Sequence, residues 1–346
     1  MKNPKITYLV TRTHGLKTHL IRPEEIQVMA KAKSLKEVAD SLLKSEYAEE
    51  VSKIPAKEID ASTLERIFLK KLVERFYFLV SIPSGVQDFL REYSKRFEVE
   101  NIRRIIRAKH VGETIEEGNL IPLAREYTLV NFPALLKAND VAEVAALLRE
   151  TAYVSLTEKL DLYKKYGTTL VLEACLDDVY FGKLWEMVDK LPDKKEVKQL
   201  VGTEMDLKNI LTVIGLRMRN VEPALIEEML TSSFYEAERR HLTSFMRAGI
   251  KDAADALVAT PYAKLVEEAL SLTHWGEKAL FSEVEKLFRK EFYGKAFKML
   301  RENPFNMGFA LAYLLACECE AKNLVTLSVG KDLKIGDEKI QKDIIG

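Results

Sequence analysis

Two short patterns interleave three times along this chain, and any fold must accommodate that repeat. The first is acid-x-x-Asn-aliphatic-x-x-aliphatic, with a cation eight residues after the Asn. It occurs as Glu98, Asn101, Ile102, Ile105, Lys109, again as Asp206, Asn209, Ile210, Val213, Arg217, and a third time as Glu320, Asn323, Leu324, Leu327, Lys331. The second is Ala-x-x-Leu-x-x-x-x-Tyr: Ala39, Leu42, Tyr47; Ala145, Leu148, Tyr153; Ala254, Leu257, Tyr262. The tyrosines lie 106 and 109 residues apart and the asparagines 108 and 114. Fixed order and near-constant spacing imply three related units of about 108 residues, with boundaries expected at 1–113, 114–223 and 224–346. A unit of that length is large enough for its own core, unlike the short repeats of a solenoid.

The period inside each unit is helical. Val141, Val144, Ala145 and Leu148 fall at i, i+3, i+4, i+7, one face of a helix. Leu207, Ile210, Leu211, Ile214 and Met218 make a second stripe. Thr203-Glu204-Met205-Asp206 ahead of it reads as an N-cap with an acid at N3. Alternating strand-like runs joined by Asn-Gly or Asp-Gly are missing, so the expected class is all-α. The repeated residues read as structural. An acid and an Asn at i, i+3 are neighbours on a helix and can share a hydrogen bond. The cation near the helix end suits that helix's negative pole. The tyrosine can bury its ring while its hydroxyl reaches a backbone group.

Charge narrows the function classes. The 53 Lys+Arg balance 53 Asp+Glu, which leaves no net basic footprint for nucleic acid. Arg103, Arg104, Arg107 and Lys109 spread around a helix axis and are expected to form a solvated face. The longest apolar run, Phe309 to Cys317, is nine residues, against the roughly 20 of a spanning helix. His14, Lys17 and His19 stand where a signal peptide would carry its apolar core. Cys175, Cys317 and Cys319 are an odd number, expected as reduced thiols in the core of a cytoplasmic protein.

Catalytic motifs are absent. Gly182-Lys183, Gly294-Lys295 and Gly330-Lys331 lack both the upstream Gly and the following Ser or Thr of a phosphate loop. One Glu-x-x-His occurs, Glu238 and His241, without the second copy a di-iron site needs. Asp177 and Asp178 are adjacent and point to different faces, so they are expected as solvated carboxylates. Trp185 and Trp275 are expected as core or interface aromatics. No catalytic, cofactor-binding or metal-binding residue is assigned.

The segment Asn303-Pro304-Phe305-Asn306-Met307-Gly308 through Leu311, Tyr313, Glu320, Asn323-Leu324 and Gly330-Lys331 resembles the C subunit of archaeal-type (V/A-type) rotary ATP synthases, the family that includes the d subunit of vacuolar ATPases. Tyr153, Tyr180-Phe181, Leu184-Trp185, Glu204, Asp206 and Asn209-Ile210 carry the same likeness. The resemblance implies a pseudo-threefold, funnel-like helical body with a central opening. It implies a non-catalytic, peripheral component on the cytoplasmic face of the membrane. Its implied partners are the proteolipid rotor ring and the D and F subunits of the central shaft, and its implied task is torque transmission for proton or sodium transport. One copy per complex and a monomer in isolation are expected. Polar loops after the repeated Asn helices (Gly112 to Gly118, Arg219 to Pro223, Gly330 to Glu338) are expected to line one end of the body and touch a partner. A generic all-helical repeat scaffold that binds soluble protein partners would share the repeat and the missing motifs.

Overall fold

The computed structural model describes residues 3–248, 255–272, 278–302 and 304–346. Ala254, His274, Trp275 and Asn303 lie outside them. Eighteen α-helices are found among the described residues, and no strand. In chain order they are α1 (Pro4–Lys17), α2 (Pro23–Met29), α3 (Leu35–Leu42), α4 (Ala48–Val51), α5 (Ala61–Ser81), α6 (Gln87–Ser94), α7 (Arg96–His110), α8 (Phe132–Lys137) and α9 (Val141–Leu147). There follow α10 (Leu160–Tyr166), α11 (Leu170–Val188), α12 (Lys194–Arg217), α13 (Pro223–Glu228), α14 (Arg239–Arg247), α15 (Ala263–Leu272), α16 (Lys278–Glu302), α17 (Met307–Asp332) and α18 (Asp337–Asp343). They divide into two compact units.

The first unit comprises Met1–Ser94, Gly118–Tyr127 and Tyr293–Gly346. Its centre is α17, apolar on all sides from Met307 to Cys317, as a helix wrapped by neighbours must be. The long α5 lies along it, burying Leu64, Phe68, Leu72, Phe76 and Leu79 at every third or fourth residue. Each such side chain contributes about 1.5–3 kcal/mol on removal from water. Asp60 starts α5 by accepting the Thr63 amide, and Ser34 starts α3 by accepting that of Glu37.

The second unit comprises Lys95–Glu117 and Thr128–Phe292. Here α11 packs on α7 and α12, and α12 also carries α13 and α14. Asp140 caps α9 through the Glu143 amide. The expected N-cap at Thr203 is overturned. Thr203 is buried inside α12, which begins nine residues earlier at Lys194. Val197, Leu200 and Val201 extend the apolar stripe upstream, and that burial outweighs the local capping preference.

Candidate functional site

The buried polar chemistry of both units centres on the repeated acid. Glu98 on α7, Asp206 on α12 and Glu320 on α17 are each at most 5% exposed. An isolated buried carboxylate is costly, so its partners matter. Tyr153 gives its hydroxyl to Glu98 Oε1 at 2.6 Å, and Thr128 gives its hydroxyl to Oε2. Tyr262 gives its hydroxyl to Asp206 Oδ2 at 3.0 Å, and the amides of Tyr235, Glu236 and Ala237 converge on the same carboxylate at 2.7–3.1 Å. Tyr47 gives its hydroxyl to Glu320 Oε1 at 2.6 Å, and the Ile21 amide binds Oε2 at 2.6 Å. Arg75 on α5 adds Nη1 at 2.7 Å, while its other edge meets Glu46. The expectation that the tyrosine hydroxyl reaches backbone is therefore corrected. In all three cases it reaches a carboxylate, the stronger acceptor.

Local packing makes the Asp206 cradle possible. A Cβ on Gly202, one turn before Asp206, would lie 2.4 Å from the Tyr235 ring. The bare glycine lets that ring lie against α12 and brings three successive amides within reach of the carboxylate. Burial outweighs those amides and holds the Asp206 carboxyl above the usual aspartate range. Burial likewise pushes the Tyr47 and Tyr262 hydroxyls well above theirs, so they stay protonated donors.

At Asp206 and Glu320 the asparagine three residues on does a different task from the expected hydrogen bond to the acid. Asn209 accepts the Thr231 amide at 3.0 Å and donates to its hydroxyl at 2.8 Å. Asn323 accepts the Ile345 amide at 2.9 Å and donates to its carbonyl at 2.7 Å. Each clamps chain 22 residues downstream. Asn101 is likewise buried, on α7.

The three helices also end alike. The residue eleven after each Asn, namely Gly112, Asn220 or Lys334, is left-handed, with φ of +73°, +55° and +54°. The amides of Glu113, Val221 and Ile335 close back onto Ala108, Leu216 and Gly330 carbonyls, the Schellman pattern. The repeated cations lie in the last turns of their own helices, as expected, and their side chains also reach neighbouring elements. Lys109 donates to the Leu136 carbonyl in the last turn of α8, and Arg217 donates to Phe245 and Ala248 at the end of α14. Lys331 turns instead to Asp337 at the start of α18.

A second cluster corrects two expectations of solvated faces. Asp177 is buried and paired with Arg103 and with Lys208 at 3.0 Å. Glu173 accepts Arg107 Nε at 2.9 Å. Burial pushes both carboxyls up, and the surrounding cations more than reverse it, leaving both below their ordinary values. The pattern of α7 hid this, because the acids that pair with Arg103 and the exposed Arg107 lie on α11. Asp178 accepts the Ser232 amide at 2.6 Å.

The remaining candidates are dispersed. Glu238 precedes α14 and pairs with Arg240, away from any second Glu-x-x-His. Among the described residues, no three His, Cys, Asp or Glu are grouped to hold a metal. Cys175, Cys317 and Cys319 are buried, and burial pushes the Cys317 thiol up to about 12. Trp185 is half-buried, edge-on to Tyr235. No described helix is long and apolar enough to cross a membrane. Sequence reasoning missed Arg75, Thr128 and Thr231, whose partners lie 22 to 245 residues away and leave no local signal.

The arrangement is one of mutually satisfied polar groups holding loops to helices. Comparison with known sequences adds an identity to that geometry. The family described as ATP synthase (C/AC39) subunit matches residues 9–343. The C subunit of the A-type ATP synthase of Methanocaldococcus jannaschii is 25% identical over 344 residues, covering 98% of this chain and 86% of the relative. That of Methanosarcina mazei is 24% identical over 353 residues, covering 98% and 92%. That of Archaeoglobus fulgidus is 22% identical over 348 residues, covering 98% and 95%.

Proposed function

The chain belongs to the ATP synthase (C/AC39) subunit family, and on that premise we propose that it is the non-catalytic central-stalk component of a rotary A-type or V-type ATP synthase. In this reading it couples a shaft built from the D and F subunits to the membrane proteolipid ring and carries torque between them, driving proton or sodium transport. It lies peripherally on the cytoplasmic face, one copy per complex, and is a monomer on its own. Three helical units, 1–113, 114–223 and 224–346, form a pseudo-threefold, funnel-like body whose central opening receives the shaft.

The observation that carries the reading is the span of the family match, which leaves only a few residues at either end uncovered. The use made of polar groups supports it. The repeated acids, asparagines and cations are spent on tyrosines, other side chains and backbone, and satisfied buried networks of this kind stiffen a protein. Stiffness serves torque transmission, whereas a substrate site must keep polar groups uncommitted. In the same reading the segments at the three Schellman ends (Gly112 to Gly118, Arg219 to Pro223, Gly330 to Glu338) contact a partner.

Size-exclusion chromatography of the purified chain with a reconstituted D–F shaft is the first test. Co-elution at one to one, weakened by charge reversal in those loops, is the expected result. Separate elution at micromolar concentration, with and without the proteolipid ring, would defeat the coupling role.

A further inference from the structure

The three carboxylates draw their partners from the chain in a regular way. Glu98 takes a loop residue 30 positions downstream, Thr128, and a tyrosine 55 downstream. Asp206 takes a loop centred 30 positions downstream, at Glu236, and a tyrosine 56 downstream. Glu320 takes the same two kinds of partner from 299 and 273 positions upstream, at Ile21 and Tyr47. Loop and tyrosine are separated alike in each case: 25 residues from Thr128 to Tyr153, 26 from Glu236 to Tyr262, and 26 from Ile21 to Tyr47. The Glu320 cluster is thus the same assembly with its halves supplied in reversed chain order.

It differs in one respect. Arg75, 5% exposed, is wedged between Glu320 and Glu46 and lies 5.6 Å from the centre of the Tyr47 ring. Removing Glu320 leaves the buried Arg75 with Glu46 alone to offset its charge in low dielectric, and removing Arg75 leaves Glu320 with no cation among its hydrogen-bond partners. Holding segments more than 200 residues apart also carries a larger loop-closure cost than the assemblies around Glu98 and Asp206, whose partners lie within 56 residues. The first unit of the fold joins residues 3–94 to 293–346. Packing of α1 and α5 on α17 and hydrogen bonds such as Lys17 to the Leu300 carbonyl and Gln341 to the Gln27 carbonyl complete its seam.

We infer that the Glu320–Arg75–Tyr47 cluster is a clasp, and that releasing it lets the early and late segments part together as one opening unit. This inference is independent of the proposed rotary role. It predicts a conformational step in which α3 to α5 and α17 to α18 lose protection in concert, as cooperative sub-global units do.

Amide hydrogen exchange on the full chain tests it. In Glu320→Gln, amides of α5 and α17 should exchange at least about tenfold faster, and at matching rates, while those of α7 and α12 stay within about twofold of the parent. Should that variant fail to fold, Tyr47→Phe keeps both charges and should give the same pattern more weakly. As a control, Asp206→Asn should accelerate α12 and α14 and leave α5 and α17 unmoved. If α5 and α17 respond at different rates, or if α7 and α12 respond as strongly to Glu320→Gln, the clasp is refuted.

Discussion

At the level of single residues, the count of donors around each carboxylate sets what its tyrosine is worth. A hydrogen bond to a charged group contributes about 1.5–3 kcal/mol, with the upper end applying when the acceptor is left short of partners. Glu98 receives two side-chain hydroxyls, so Tyr153→Phe halves its support. Asp206 keeps three backbone amides after Tyr262→Phe. We therefore expect Tyr153→Phe to cost about 2–3 kcal/mol and Tyr262→Phe about 1 kcal/mol, measured from urea unfolding of each variant. A larger loss for Tyr262→Phe would show that the amide cradle is not what holds Asp206. The acid and the tyrosine are both visible as repeated letters. Their pairing is hidden, because it joins residues some 55 positions apart and no periodicity reports contacts at that range.

Among the elements, helix faces are more legible than helix ends. The stripe through Leu207, Ile210 and Ile214 marks one buried side of α12, since 3.6-residue spacing carries that information directly, and Val213 and Leu216 off the stripe are buried as well. Its start misleads because Thr203 and Asp206 imitate a capping box, whereas burial of Val197 and Leu200 continues the helix through them. The C-terminal ends are also concealed. Only Gly112 of the three left-handed residues has the expected type, with Asn220 and Lys334 in its place. Asn tolerates that conformation, but a lysine there has its Cβ crowding the following carbonyl. Lys334→Gly should therefore stabilise the chain by about 0.5–1 kcal/mol, after allowance for the extra freedom glycine gains when unfolded. Thermal unfolding would register it as a raised midpoint. A lowered one would mean that the Lys334 side chain contributes more through packing than its backbone loses through strain.

For the molecule as a whole, buried ionisable groups of opposite tendency set how stability varies with pH. Glu46, Glu173 and Asp177 are pushed up by burial and more than pulled back by Arg75, Arg107, Arg103, Lys208 and His19, so each ionises below its ordinary range. In the acid range the unfolded chain binds protons at these sites first. Their contribution is complete above the ordinary carboxylate values, about 4–4.5, and is lost as pH falls through the lower folded ones. His14, stacked on Phe309 at 3.9 Å, is held below its ordinary value by burial and then by Lys17. It costs nothing above about pH 6.5 and begins to destabilise beneath it, where only the unfolded imidazole is charged. Asp206 runs the other way. With its folded carboxyl raised, the folded state takes up that proton first, and stability rises as pH falls through its folded value. One such group offsets only part of the loss from three. Urea midpoints measured between pH 8 and pH 4 should be level above about 6.5, fall gently below it, and fall steeply below about 4.5. His14→Phe, which keeps the stack and removes the titrating nitrogen, should erase the gentle step and leave the steep one. Midpoints that stay level down to pH 4 would mean that the buried pairs around Arg75 and Arg103 contribute as little as surface ones.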